Sequence, residues 1–137
     1  MLPLRYARRW QIASLLLLFA VLAAALTPVV WFWDDRVGGL RWFQNVDKWL
    51  HGATFFILAV WFTGMVARSR YAWVVVGLLV FGFVIEGCQY LVAYRSADWN
   101  DAGANAAGIL LGITLALVGM GGWCERVEGY WANNKTS

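Results

Sequence analysis

The chain has 137 residues, of which 61% are hydrophobic and only 14% charged, with a mean hydropathy of +0.59. One compact domain fits that length, but a water-soluble globular domain does not fit that composition, and a lipid bilayer is the solvent it implies. The net charge of +3, from 11 Lys and Arg against 8 Asp and Glu, reads as membrane-topology signal rather than nucleic-acid binding, because the cations sit in a short N-terminal arm and between apolar runs.

Residues 1–10 form a basic arm with Arg5, Arg8 and Arg9. The first apolar run, 11–31, follows it and contains Ala23-Ala24-Ala25. A cleaved signal peptide is the competing reading, but the run is longer than an ordinary signal core, and a first span is expected. A loop from about 32 to 48 with Asp34, Asp35, Arg36, Gly38 and Gly39 is the one sizeable extramembrane connection expected.

Further spans are expected over 49–67, 71–93 and 101–122, each long enough to cross roughly 30 Å of hydrocarbon at about 1.5 Å per helical residue. The fold class is therefore an all-α, integral membrane four-helix bundle over 11–122, followed by a polar tail at 123–137. With four spans, Arg5, Arg8, Arg9, Arg68, Arg70, Arg126 and Lys135 share one side, and Arg36, Arg41, Lys48 and Arg95 the other. The positive-inside rule then puts both termini in the cytoplasm.

Trp10, Trp31, Trp33, Trp49, Trp73, Trp99 and Trp123 fall near span ends, as indoles of an interfacial belt would, and Trp61 is the mid-span exception. Ala104, Gly108, Gly112 and Ala116 repeat every fourth residue along the last span, a small-residue ridge on which another helix can pack closely. Gly77, Gly82 and Gly87 permit similar contact in the third span. Cys88 and Cys124 fall at opposite membrane faces, which excludes a disulfide between them, and neither lies in a metal-binding or redox spacing.

Three polar groups stand at span ends. Asp47 and His51, the sole histidine, are four residues apart, so on a helix the carboxylate can orient the imidazole. A capped or solvated pair is the plainer reading. Glu86 and Gln89 share a face near the end of the third span, with Glu86 roughly 8–10 Å inside it; a carboxylate at that depth needs a partner or a proton. A structural interhelical ion pair is its alternative. Arg95, Asp98 and Asp101 lie in a connection too short to leave the membrane surface, and Asn105 follows one turn deeper. Asp101 also suits the positive end of the fourth helix as a cap. Antiparallel packing brings all three groups to the non-cytoplasmic side, where they line one polar vestibule.

Asp47-Lys48-x-x-His51, Glu86-x-x-Gln89 and Arg95-Ser96-Ala97-Asp98-x-x-Asp101-x-x-x-Asn105-x-x-Gly108, in this order on successive spans, resemble the VanZ-like family. That family is named for a membrane protein associated with resistance to the glycopeptide antibiotic teicoplanin, and the resemblance implies a role in the cell envelope.

The leading functional expectation is a site that binds or processes an envelope lipid or cell-wall precursor. Lys48 and Arg95 would hold an anionic headgroup, with Asp47, Gln89, Asp98 and Asn105 as further binding residues. The second expectation is a membrane hydrolase or transferase with His51, Glu86 and Asp101 in catalytic roles. No Ser/His elbow, HExxH or phosphatase signature supports it, no cofactor is named and no metal site is assigned, although several carboxylates with His51 could hold a divalent ion. A proton-coupled transporter is a third reading, weakened because the inner halves of the spans offer little beyond Thr63 and Thr114. A structural or accessory subunit with an envelope protein partner is the fourth.

Overall fold

In the computed structural model the described residues are 2–27, 40–91 and 99–134; for 40–47, 99 and 133 the backbone alone is described. They form five α-helices: α1 (Ala7–Leu26), α2 (Leu40–Met65), α3 (Tyr71–Leu91), α4 (Trp99–Leu115) and α5 (Trp123–Asn133). No strand occurs among the described residues.

Three segments, Ala7–Leu26, Arg68–Leu91 and Asn100–Met120, are long and apolar enough to cross a membrane. The second helix, α2, has 26 residues, about 39 Å at 1.5 Å per residue. It is less apolar because Arg41, Gln44, Asn45, Asp47, Lys48 and His51 occupy its first half. It begins at Leu40 rather than near Trp49, so the residues from Leu40 to Lys48 belong to a helix and not to the expected loop.

The helix ends follow from local chemistry. At the end of α1, Thr27 turns to an extended conformation, and its hydroxyl donates to the Ala23 carbonyl at 2.8 Å; Pro28 follows, and a residue before proline avoids the helical region. Between α2 and α3 a single 3-10 turn, Arg68–Arg70, reverses the chain. After α4, the stretch Ala116–Met120 widens into a π-helical turn that breaks at Gly119, whose φ of 149° a side chain rarely tolerates.

The core is aliphatic and aromatic: Phe55, Leu58 and Ala59 of α2 meet Leu78 and Ile85 of α3 and Ile109 of α4, with Leu18, Val21 and Leu22 of α1 against them. The small-residue ridge of α4 faces α2. A Cβ at Gly108 would fall on the carbonyl oxygen of Gly52, and one at Gly112 would meet the Ala59 methyl at 2.6 Å. This is the close backbone approach that small residues permit between membrane helices. Of the α3 glycines, Gly82 makes such a contact, with Phe55 and Asn105, whereas a Cβ at Gly77 or Gly87 would meet nothing within 4 Å.

The outer surface is apolar. Phe19 is 71% exposed and Val118 81%, and Leu15, Leu16, Leu110 and Leu111 are exposed beside them. So much continuous apolar exposure is the pattern of a lipid-facing wall, not of a surface in water.

The end opposite the polar groups is tied together by α5. Glu128, buried at 7% exposure, accepts hydrogen bonds from the Arg5 amide at 2.6 Å, the Tyr6 amide at 3.0 Å and the Trp10 indole at 2.8 Å. Its carboxylate thus satisfies backbone donors of the turn that leads into α1, and it sits at the positive end of that helix. Trp10, Trp61 and Trp123 pack edge to face with centroids 5.5–5.7 Å apart. The Trp61 indole donates to the Ser14 hydroxyl at 2.9 Å, and that of Trp123 to the Val60 carbonyl at 3.0 Å. Trp10 and Trp123 are therefore bundle residues with protein acceptors, while Trp49 and Trp73 are 79% and 75% exposed as belt residues would be. Trp31 and Trp33 lie outside the described residues.

Candidate functional site

Because α1 and α3 finish where α2 and α4 start, one end of the bundle collects the polar residues. His51 enters from the fourth turn of α2, Glu86 from the last turns of α3 and Asp101 from the first turn of α4. One ligand-type atom from each of these three lies within 4.8 Å of those of the other two. His51 is 9% exposed and Asp101 5%, and Glu86 is half-buried with its Oε1 atom fully enclosed.

Two amides frame this trio. Asn105, one turn beyond Asp101 and 3% exposed, places its Oδ1 3.2 Å from His51 Nδ1. An amide oxygen only accepts, so His51 Nδ1 is the donor in this bond. Gln89, one turn beyond Glu86 and 2% exposed, donates from Nε2 to the Ala25 carbonyl at 2.9 Å. That bond closes the C-terminal turn of α1, which otherwise leaves carbonyls without partners. The first helix therefore shapes the rim of the polar layer.

Of the residues expected at the site, His51, Glu86, Asp101 and Asn105 come together in space. Gln89 lies beside them but is used in holding α1. Lys48 stands half-buried three residues before His51 on α2. Asp47 is on α2 at the spacing that shares a face with His51, but its side chain is not described; Arg95 and Asp98 lie outside the described residues. The bond from Asn105 to His51 was not foreseen, because the local Asp47 pairing offered a nearer orienting group.

A second concavity, an apolar groove of about 540 Å³, runs between α1, α2 and α3 past Leu18, Phe62, Trp73, Leu78 and Phe81, with Arg70 at one edge. None of the polar trio lines it.

Apolar outer walls, helices of membrane-crossing length and an interior acid–imidazole–amide layer define a multi-pass membrane protein with a buried polar site. The chain belongs to the VanZ/LLP1 family, which it matches over residues 4–120. No curated protein and no solved structure matches it.

Proposed function

We propose that this chain is a four-span protein of the bacterial cytoplasmic membrane, with both termini cytoplasmic, whose outward-facing polar site binds or processes a phosphate-bearing envelope lipid or cell-wall precursor. The observation that supports it best is the delivery of His51, Glu86 and Asp101 by three helices to one point inside an apolar bundle. Polar groups at that depth are costly in a membrane and are kept for ligands or catalysis.

In this reading α2 crosses the membrane as well, packed against α4. The seven basic residues on the terminal side against four on the other orient the bundle. Lys48 and Arg95 hold the anionic headgroup by charge-assisted hydrogen bonds, and acyl chains lie along the exposed leucines and phenylalanines. Titration of the detergent-solubilised protein with a short-chain phosphatidic acid should give saturable binding that is lost in Lys48→Ala/Arg95→Ala. Equal binding by that variant removes the proposal. The family's association with teicoplanin extends it to glycopeptide susceptibility, which is read by comparing a deletion strain with its complemented form.

A hydrolase or transferase at the same site is the second reading, favoured by one specific bond. With Nδ1 donating to Asn105, the neutral form of His51 carries its lone pair on Nε2, the arrangement a general base needs. Turnover of the bound lipid that stops in His51→Ala while binding continues separates this reading from the first.

A further inference from the structure

We infer that His51, Glu86 and Asp101 form a binding site for one divalent transition-metal ion, of the Zn²⁺ or Mn²⁺ class. Three observations support it. The donor set is one imidazole and two carboxylates, each from a different helix, with their ligand atoms within 4.8 Å of one another. Ligands at about 2.0–2.2 Å from a common ion are roughly 3–4 Å apart, so side-chain adjustments on the order of 1 Å close the site.

The second observation is His51 Nδ1, which faces Asn105 Oδ1 at 3.2 Å. Metal-binding histidines characteristically give their other ring N–H to an oxygen acceptor, which fixes both the tautomer and the ring plane. Here that acceptor sits one helical turn from the Asp101 ligand, so a single stretch of α4 supplies both a ligand and the group that orients another. The third is charge. With both acids ionised and the imidazole neutral the trio would carry two negative charges, which a dication would cancel in a region where net charge is expensive.

The imidazole selects against Mg²⁺ and Ca²⁺, which prefer all-oxygen shells, and the absence of a thiolate from the trio selects against Cu⁺. Three protein ligands leave at least one position open, the pattern of sites where an ion meets water or substrate oxygen rather than of closed structural sites. The lipid reading and the metal site stand independently, since an ion can be held with no lipid present.

The test uses the full-length protein purified in detergent, stripped with a chelator, dialysed and titrated with Zn²⁺, Mn²⁺ or Co²⁺ alone. The expected result is stoichiometric uptake, with the Co²⁺ form showing d–d absorption and no thiolate charge-transfer band. Glu86→Gln and Asp101→Asn should each weaken binding at least about tenfold, and Asn105→Ala roughly 10–100-fold through loss of the orienting bond. Glu125→Gln, an exposed acid at the other end of the bundle, should bind as wild type. Substoichiometric uptake by folded wild-type protein, or a folded Glu86→Gln that binds normally, overturns the inference. Phosphatidic acid binding that persists in chelator would leave the lipid reading intact in that event.

Discussion

His51 Nδ1 and Asn105 Oδ1 face each other at 3.2 Å across the α2–α4 contact, both side chains buried. Each residue sits close to a glycine of that contact, Gly52 following His51 and Gly108 lying one turn beyond Asn105. The two backbones nearly touch there, which brings the side chains within hydrogen-bond reach, so packing and polar chemistry depend on the same interface.

Removing the Asn105 amide should leave a buried imidazole N–H without its acceptor, a loss of about 1–3 kcal/mol. Asn105→Ala is therefore expected to lower the melting temperature in detergent, and Asn105→Asp, which keeps an acceptor, to recover most of it. A double-mutant cycle between Asn105→Ala and His51→Ala should give a coupling of roughly 0.5–3 kcal/mol. Additive effects would show that the bond contributes nothing to the fold.

At Gly108 the added methyl has nowhere to go, since it would fall on the Gly52 carbonyl. Gly108→Ala should force α2 and α4 apart and cost about 1–3 kcal/mol. Gly103→Ala, where a Cβ would meet nothing within 4 Å, should instead be neutral or stabilising by about 0.5–1 kcal/mol, as expected for alanine in a helix interior. Matched thermal melts of the two variants check this contrast.

Much of this arrangement was legible beforehand. The α3 and α4 spans follow from long, mostly apolar runs, and the ridge of Ala104, Gly108, Gly112 and Ala116 shows that α4 packs closely, although not that α2 is its partner. The helix α2 extends about nine residues ahead of the apolar run at 49–67, and Arg41, Gln44 and Asn45 in that extension give no apolar signal from which to read it. The meeting of His51, Glu86 and Asp101 followed from antiparallel order and from which end of each span they occupy. Asn105 as the partner of His51, and Glu128 as a cap for α1, did not. Both bonds join residues far apart in sequence, and Glu128 sits in a segment whose acids and aromatics read as a solvated tail.

Glu128 gives the bundle a pH dependence. Burial alone would raise its pKa, but the Trp10 indole, the Tyr6 and Arg5 amides and the Arg5 charge outweigh it and hold the carboxyl below its ordinary value of 4.5. A lowered folded pKa means stabilisation that is complete above pH 4.5 and fades as the pH falls through the folded value. Trp10 fluorescence or proteolysis of the N-terminal arm should report its release in acid. In Glu128→Gln the arm should already be loosened at neutral pH, and its release should no longer follow acidification.

Cys124 is fully buried under Leu4 and Met65. Burial, with the nearby Glu128 charge, pushes its thiol from 9.0 up to about 12. Because the thiolate is the reactive form, Cys124 should resist maleimide in detergent at pH 8 and react once the chain is denatured. Rapid labelling of Cys88→Ala under native conditions would show that α5 does not pack as described.

The central claim is that the layer of His51, Glu86 and Asp101 is a ligand site rather than a lock for the bundle. Native mass spectrometry of the protein released gently from membranes tests it most directly, comparing wild type with His51→Ala/Glu86→Gln/Asp101→Asn. The account expects a phosphate-bearing lipid, a metal ion or both on the wild type, and neither on a variant that still melts cooperatively. Identical bound species on the two folded proteins would contradict it.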